Sequence, residues 1–406
     1  MHTVFDELIA PLRNFFRDKS SEFDEQADSK ALFFKDFTLK LIFAHVMKLG
    51  SLKVLITELK SNEAAEKLGF QPTPYSTFRD GFSRFDANFF QQAFQYILQT
   101  SSWLSIPAID ELGIFKLVDG SIFPNISSMT WANYKKKKNA IRMHMSFELN
   151  RMIPTEFIAT AANFSERSFL QSIVQQGITY IADRGYFSFD LAAHITKSEA
   201  FFIFRVKGNY LFCVCQDLAI TSLSGMPACF INVKDQMITF DNDDHRQTYR
   251  MVCFTVLSSD FMICTNRTDL STLEIIMLYA YRWQVELLFK FIKRTLNGLH
   301  LFNLSPNGVS IHFYVLLITA VLELRLKQLC INFVQFTETI ELDDVINVQK
   351  LEAFSTYKGF DPAIWIKNLT DKFYNYWKIG IHWLITLKNS ITKPFDFHVI
   401  VKLGGT

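Results

Sequence analysis

Residues 113–123 read GIFKLVDGSIF, and this stretch decides the fold class. It begins as a short apolar run, the pattern of a strand that is buried on both faces. The run then reaches an acid, Asp119, which is followed by Gly120 and Ser121. A carboxylate at the end of a buried strand is costly unless it has a partner. The stretch therefore predicts a buried strand that ends at an acid with either a functional or a turn-forming role.

The segments that follow predict the rest of a sheet. IRMHMSFEL at 141–149 and MIPTEFIAT at 152–160 complete a meander of three strands. After them the pattern alternates: SERSFLQSIVQQ predicts a helix, ITYIAD a strand, FSFDLAAHITKS a helix and AFFIFRVK a strand. Three strands followed by alternating helix and strand predict an α/β fold with a mixed sheet. That order matches a ribonuclease-H-like core.

Composition limits the class of protein. The 406 residues are 49% hydrophobic, with 42 Phe, and 20% charged, which predicts an ordered globular chain of two to four units. A net charge of +2 means that any affinity for nucleic acid must come from local basic patches. The six cysteines form no CxxC pair, and the N-terminus has no secretory pattern, so reduced thiols in the cytoplasm are expected. The apolar run 313–322 is too short to span a bilayer and predicts a buried core helix.

The pattern along the chain predicts five segments of a multidomain α/β protein. Residues 1–108 are expected to form a helical N-terminal DNA-binding domain, in which Ser76 or Thr77 could cap a helix presenting Arg79 and Arg84. An ordinary surface helix is the alternative there. Residues 109–208 and 266–335 are expected to form the two parts of the core, the second carrying Glu286 on a helix. An inserted β subdomain at 209–265 separates them, and a helical segment at 336–406 follows.

A second acid also follows an apolar strand, and a third acid lies on a predicted helix. Asp183 ends the apolar strand ITYIAD and precedes a turn at Gly185. The stretch YAYRWQVELLFKFIK at 279–293 predicts one long helix, on which five polar side chains project within an arc of about 80°. These five are Tyr279, Arg282, Glu286, Lys290 and Lys293.

Three carboxylates brought together have a specific chemistry. Asp119, Asp183 and Glu286 could hold two divalent cations, and Mg²⁺ or Mn²⁺ would suit these oxygen ligands. Two such ions favour in-line phosphoryl transfer, with phosphates held by the basic residues Arg282, Lys290 and Lys293. Taken singly, each aspartate is more typical of a turn former or a helix cap. Likewise, Arg282, Glu286 and Lys290 on the helix could form ordinary surface ion pairs.

The spacing Tyr279, Arg282, Glu286 and Lys293 resembles the Tyr-Arg-Glu-Lys signature of the insertion-sequence-four family of bacterial DDE transposases. LVDGS and IADRGYF are similar to the family's first and second acidic regions, and LYAYRWQVELLFKFIKRTL to its third. The resemblance covers roughly residues 110–325. It implies that the three acids form a metal-binding catalytic triad. It further implies that Tyr279, Arg282 and Lys293 bind phosphates near the cleaved end.

The resemblance also implies partners: terminal inverted repeats, target DNA and a homodimer in the synaptic complex. Arg205 and Lys207 resemble the basic end of the family's last core strand and are expected to contact DNA. Relatives of known mechanism form a hairpin with a flipped base stacked on an aromatic residue of the β insertion. No Trp lies within 209–265. Tyr249, Phe240 or Phe254 could replace it, although each is more typical of the core, and the hairpin step stays open.

Two further features each have a functional interpretation and an ordinary structural one. Lys135 to Lys138 could contact phosphate or form a solvated loop. His144 resembles a family histidine, yet a buried structural histidine is the preferred interpretation.

The sequence thus predicts a Mg²⁺-dependent DNA transposase that cleaves insertion-sequence ends and joins them to target DNA, working in the bacterial cytoplasm and on the nucleoid. One alternative is a ribonuclease-H-like nuclease or resolvase that cuts without joining. The other is a transposase derivative that binds DNA but has lost catalysis.

Overall fold

The computed structural model describes residues 4–103, 105–124, 133–135, 138–220, 230–256, 259–296 and 300–339. These residues divide into two compact units. A helical unit holds the described residues up to 103 together with those in 123–141 and 289–339. A sheet unit holds the described residues in 105–122 and 142–288. The predicted segment 336–406 therefore lies almost wholly outside the described residues.

The elements follow in chain order. The helices are α1 Val4–Leu8, α2 Leu12–Gln26, α3 Phe34–Val46, α4 Leu52–Ser61, α5 Glu63–Lys67, α6 Tyr75–Arg84, α7 Ala87–Thr100, α8 Pro107–Asp110, α9 Glu166–Ile173, α10 Phe189–Lys197, α11 Thr272–Ala280, α12 Trp283–Lys290, a π-helical turn Phe291–Thr295, and α13 Pro306–Thr339. The strands are β1 Ile114–Pro124, β2 Asn133–Lys135, β3 Lys138–Glu148, β4 Ile153–Ala161, β5 Ile178–Ala182, β6 Phe201–Arg205, β7 Phe212–Asp217, β8 Ile231–Phe240, β9 Thr248–Val256 and β10 Ser259–Thr265. The strands and helices predicted between 113 and 207 are confirmed, with one correction. Strand β1 continues past Asp119 to Pro124, so this acid lies within the strand and not at its end.

Phenylalanine forms much of the core of the helical unit. Phe37 of α3 packs against Phe78 and Phe82 of α6 and against Phe85 just beyond it. The first turn of α13 is joined to the link between α6 and α7 by Asn307. Its side-chain amide donates to the carbonyl oxygens of Phe82 and Phe85, both at 2.8 Å. Aromatic packing thus holds α6 against α3, and the Asn307 hydrogen bonds hold the link between α6 and α7 on the long helix.

One predicted cap in this unit is wrong. Helix α6 begins at Tyr75 after Pro74, and no side chain caps its N-terminus. Ser76 and Thr77 therefore lie within its first turn. Arg79 and Arg84 do belong to the helix, and Arg79 forms an exposed ion pair with Asp80 at 3.2 Å.

Helix α13 contains the apolar run predicted to be a core helix, and residues 313–322 are buried throughout. By length and composition, Pro306–Leu326 is the one described helix that could cross a membrane. Within its most apolar window, 83% is buried inside the protein. That burial is typical of a core helix.

The described strands form one ten-stranded mixed sheet in the order β2-β3-β1-β5-β6-β10-β9-β8-β7, with β4 paired to β3. Strands β1, β5 and β6 are parallel neighbours, and β10, β9, β8 and β7 then follow in antiparallel pairs. The segment 209–265 was predicted as an inserted subdomain. In the structure its strands extend the core sheet, because β10 pairs with β6.

Both faces of the central strands are covered. Val118, Ala182 and Phe204 pack into a core with Leu191 and Ile195 of α10. The residues that alternate with these strand positions point to the other face, against which α11 packs on β5 and β6. The central strands are therefore buried on both sides, as their apolar sequences require.

A buried ion pair joins the added strands to the start of α11. The Arg250 guanidinium on β9 donates to both carboxylate oxygens of Asp235 on β8, at 2.9 and 2.6 Å. It also donates to the Leu270 carbonyl oxygen, and the Thr272 hydroxyl donates to Asp235 at 2.7 Å. Because Thr272 begins α11, these contacts fix that helix relative to the sheet.

Candidate active site

Strand register places the two aspartates side by side. Val118 of β1 is level with Ala182 of β5, and Ala182 is level with Phe204 of β6. The next residue in each strand direction is Asp119, Asp183 and Arg205 respectively. Because the strands are parallel and side chains alternate, these three project from the same face at the same level. That face is the one against which α11 packs.

Asp119 lies in a strongly desolvated position. Burial raises the pKa of its carboxyl group to about 7, although the Arg282 guanidinium and the Gly120 backbone N–H lower it. Glu286 and Glu166 add to the rise by charge repulsion. The Gly120 N–H donates to the Asp119 carboxylate at 2.8 Å. Burial is therefore the largest influence on this carboxyl group, and the Arg282 guanidinium offsets it only in part.

The segment with the third acid is bent where a single helix was predicted. Helix α11 ends at Ala280, a turn spans Tyr281 and Arg282, and α12 begins at Trp283. The π-helical turn then widens the spiral beyond Lys290. The prediction of one regular helix, with its five polar side chains on one arc, is therefore wrong.

The turn nevertheless brings three of the five polar side chains to the aspartates. The Tyr279 hydroxyl donates to the Asp183 carboxylate at 3.3 Å. Arg282 lies between the other two acids, 2.7 Å from Glu286 and 3.7 Å from Asp119. Burial raises the pKa of Tyr279 to about 12, so its hydroxyl is a donor at neutral pH. Asp119, Asp183 and Glu286 are thus linked through one tyrosine and one arginine.

The other two residues of the predicted polar arc belong to different surroundings. Lys290 is exposed at the end of α12. Lys293 is half-buried, and its ammonium lies 4.6 Å from the centre of the Phe123 ring. Both are part of the helical unit.

Arg205 and Lys207 lie at the end of β6. Lys207 is exposed, whereas Arg205 is half-buried with its guanidinium 4.4 Å from the centre of the Phe261 ring. Phe261 on β10 also packs edge-on against the Tyr279 ring. Arg205 is therefore held near Asp119 and Asp183 by the Phe261 ring, which no sequence pattern singled out.

The sequence matches the family described as Transposase DDE domain over residues 114–322, which is half of the chain. The chain belongs to this family. Its DDE domain contains both aspartates and Glu286, together with the basic and aromatic residues around them.

Two relatives are transposases by description. A protein of Sinorhizobium fredii described as transposase y4zB is 25% identical over 235 residues, which cover 56% of this chain and 65% of that protein. A protein of Geobacillus stearothermophilus described as a transposase for the insertion sequence element IS5377 is 22% identical over 202 residues, which cover 48% of this chain and 51% of that protein. The chain thus spans less than two thirds of either relative.

A solved structure of piggyBac transposase, in a synaptic complex with hairpin DNA, is similar at 8% identity and a TM-score of 0.40. The similarity covers 89% of this chain and 91% of that one. A likeness of this size carries no argument about the DDE domain.

The DDE domain has the ligand types for a hard divalent cation, since its three acids offer only oxygen atoms. Among the described residues, no three His, Cys, Asp or Glu side chains are gathered closely enough to hold an ion as they stand. The Arg282 guanidinium lies between two of the acids instead. The carboxylates of Asp119 and Glu286 lie 3.7 and 2.7 Å from that one guanidinium, so their oxygen atoms approach a common point. The donor set therefore fits such an ion.

Three aromatic residues of the β insertion are buried. Tyr249, Phe240 and Phe254 expose 5% of their surface or less, as expected for core positions. Phe261 is half-buried, but it stacks on Phe254 with ring centroids 5.1 Å apart and carries Arg205 over its ring.

His144 is a buried histidine, as predicted. Its Nε2 lies 3.0 Å from the Thr160 hydroxyl, and burial lowers its pKa to about 4, so the ring is neutral at pH 7. The basic run Lys135 to Lys138 lies outside the residues whose side chains are described.

One charged pair beside the aspartates was missed by the sequence interpretation. Arg142 of β3 and Glu166 of α9 form an ion pair at 2.8 Å, and both are mostly buried. The only signal was a charged residue within the apolar alternation of β3, together with Glu166 following the helix cap Ser165.

Proposed function

We propose that this chain is a DNA transposase that cleaves the ends of an insertion sequence and joins them to target DNA. One observation carries the proposal. Asp119 and Asp183 lie side by side on one sheet face, and Tyr279, Arg282 and Glu286 approach them within the region matched to the DDE family.

We assign the metal-binding role to Asp119, Asp183 and Glu286. When bound, two Mg²⁺ ions, or Mn²⁺ in their place, would activate the attacking oxygen and stabilise the leaving oxygen of the phosphodiester. The protein's part is to hold the carboxylates at fixed positions. Two are fixed by neighbouring parallel strands, and the third is held on α12 by its ion pair with Arg282.

The surrounding donors are proposed to bind DNA phosphates. Tyr279 and Arg282 are nearest to the acids, with Arg205 and Lys207 at the end of β6 and Lys290 and Lys293 after them in the chain. Arg282 has a second role in this proposal. It pairs with Asp119 and Glu286 in the free protein and exchanges them for a phosphate when DNA and cation arrive. Arginine suits this exchange because its planar fork binds carboxylate and phosphate equally well.

Finer statements belong to the same proposal. The spacing of Tyr279, Arg282, Glu286 and Lys293 supports membership of the insertion-sequence-four family. The order β3-β1-β5-β6 of the central strands, with β4 beside β3, supports a ribonuclease-H-like core. We further propose a homodimer that pairs two terminal inverted repeats, and action in the bacterial cytoplasm and on the nucleoid. The predicted domain boundaries also stay a proposal.

The test is cleavage of DNA carrying the flanks of this gene. The parent chain and Asp119→Ala are incubated with labelled ends in Mg²⁺, in Mn²⁺ and in chelator. Nicking at the element ends by the parent in Mg²⁺ but not by the variant is the expected result. Precleaved ends with a target plasmid then test joining.

Each rival predicts a different result. A nuclease or resolvase would cleave but leave precleaved ends unjoined. A DNA-binding derivative would shift labelled ends in Ca²⁺ yet neither cleave nor join them in Mg²⁺ or Mn²⁺. Either pattern would overturn the proposed function.

A further inference from the structure

The carboxylate of Glu166 lies against the glycines that follow the two aspartates. A Cβ atom placed on Gly120 would lie 3.0 Å from one Glu166 oxygen, and one placed on Gly185 would lie 3.3 Å from the other. Gly120 comes directly after Asp119, and Gly185 comes two residues after Asp183. A single side chain thus lies against strand β1 next to Asp119 and against the turn that follows Asp183.

The approach is from the opposite side to Arg282. Gly120 lies two residues after Val118 in β1, so it is on the same face of the sheet as Val118, which faces α9 and α10. Asp119 points to the opposite face, against which α11 packs. Glu166 therefore supports the backbone behind the aspartates and leaves their carboxylates accessible to the site.

Several contacts fix Glu166 itself. Ser165 caps α9 by accepting a hydrogen bond from the Ser168 N–H, which places Glu166 in the first turn. Arg142 binds the Glu166 carboxylate at 2.8 Å. The neighbouring Arg167 donates to the Gly185 carbonyl oxygen at 3.2 Å. The first turn of α9 is thus docked on the turn that follows Asp183.

A carboxylate at this place has an electrostatic disadvantage. Its negative charge lies near that of Asp119, and its ion-pair partner is Arg142 at 2.8 Å. An apolar side chain would fill the space without this repulsion.

We propose that Glu166 is a positioning residue that sets the spacing between Asp119 and Asp183. One of its oxygens lies against Gly120 within β1 and the other against Gly185 in the turn after Asp183, and Arg142 holds the carboxylate. The proposal rests on the proposed function, because that spacing matters only if the two aspartates act together. It does not require Glu166 to touch DNA or cation.

The first test compares Glu166→Ala with Glu156→Ala. Glu156 is a matched control, because it is equally exposed, 27% against 26%, and is paired with Lys116 on the same sheet. Each variant is assayed for thermal midpoint, for end binding in Ca²⁺ and for cleavage in Mg²⁺. For Glu166→Ala we expect a loss of cleavage rate of about tenfold or more and end binding within about twofold of the parent, since small misplacements of reacting groups are costly. Glu156→Ala should keep its cleavage rate.

A second readout does not depend on activity. Hydrogen exchange of the backbone amides at 119–122 and 183–187 is measured without metal or DNA. Glu166→Ala should speed exchange in both segments about tenfold, because local opening becomes easier, and Glu156→Ala should leave both unchanged. Unchanged exchange in Glu166→Ala would overturn the positioning role even if cleavage were reduced.

A steric test approaches the same contact from the turn. Gly185→Ala places a Cβ against the Glu166 carboxylate, whereas Gly208→Ala meets nothing within 4 Å. We expect slower cleavage for the first and parental cleavage for the second. If both variants cleave like the parent, the spacing is not set by Glu166. If the parent itself does not cleave while exchange responds as expected, the proposed function fails and the positioning role stands.

Discussion

Replacing Asp119 by Asn is expected to stabilise the protein while abolishing cleavage. Burial raises the pKa of the Asp119 carboxyl from 3.8 to about 7. The charged form is therefore less stable in the folded protein than in the unfolded chain. At about 1.4 kcal/mol per pKa unit, the upper limit of the cost is about 4 kcal/mol above pH 7. Asparagine has the same shape, carries no charge and avoids that cost.

The sign of the pH dependence follows from the raised pKa. Below pH 3.8 the carboxyl group is protonated in both states, so parent and Asp119→Asn should be equally stable. Between about pH 4 and 7 the unfolded chain releases the proton first, and the parent loses stability relative to the variant. The difference should be largest above pH 7. The loss of the 3.7 Å contact with Arg282 makes the measured gain smaller than the limit.

The assay is thermal unfolding of both proteins between pH 4 and 8, in chelator. Each kcal/mol corresponds to about 2–4 °C in a domain of about 150–250 residues, so a rise of several degrees at pH 7.5 is expected. Asp269→Asn is the control of opposite sign, because the hydrogen bond from Arg267 lowers the pKa of Asp269. That variant should be less stable than the parent at neutral pH.

Added Mg²⁺ gives an independent check. A cation that binds the folded protein raises its melting temperature, so the parent should gain more than Asp119→Asn. The reasoning is refuted if the variant is less stable than the parent at pH 7.5, or if their difference does not shrink towards pH 4.

Three further predictions concern cleavage and DNA binding. Glu286→Gln should abolish cleavage and leave end binding within a few fold, because one metal ligand is lost and the basic contacts remain; cleavage and gel-shift assays measure both. Lys290→Ala should weaken end binding and reduce the slope of log affinity against log salt by about one unit, as expected for one phosphate contact. Phe261→Leu removes the ring under Arg205 and should weaken end binding about two- to fivefold, the size of a partly exposed cation–π contact, in fluorescence anisotropy with Ca²⁺.

Contrary outcomes are specific to each variant. Equal loss of binding and cleavage in Glu286→Gln would assign that residue a structural role. An unchanged salt slope would remove Lys290 from the phosphate contacts. Parental affinity in Phe261→Leu would mean that Arg205 needs no aromatic support or does not bind DNA. The Phe261→Leu variant must also keep a melting temperature near the parent value, since Phe261 packs on Phe254.

The sequence alone determined the central sheet and its acids. Apolar runs leading to Asp119 and Asp183 predicted two buried strands, because continuous apolar sequences suit strands that are covered on both faces. Spacing along the chain also marked Tyr279, Arg282 and Glu286 as a group. These signals lie within short segments of the sequence, so they can be recognised before the fold is known.

Tertiary structure decided what depends on register and on bends. The level pairing of Val118 with Ala182 places the two aspartates side by side, and periodicity within one strand contains no information about its neighbour. The turn at Tyr281 and Arg282 interrupts a pattern that fits a continuous helix equally well. Other contacts also join residues far apart in the chain. These are the pairing of β10 with β6, the packing of Phe261 under Arg205, and the contact of Glu166 with Gly120 and Gly185. Such contacts are set by packing of the whole sheet, and for that reason only the folded structure reveals them.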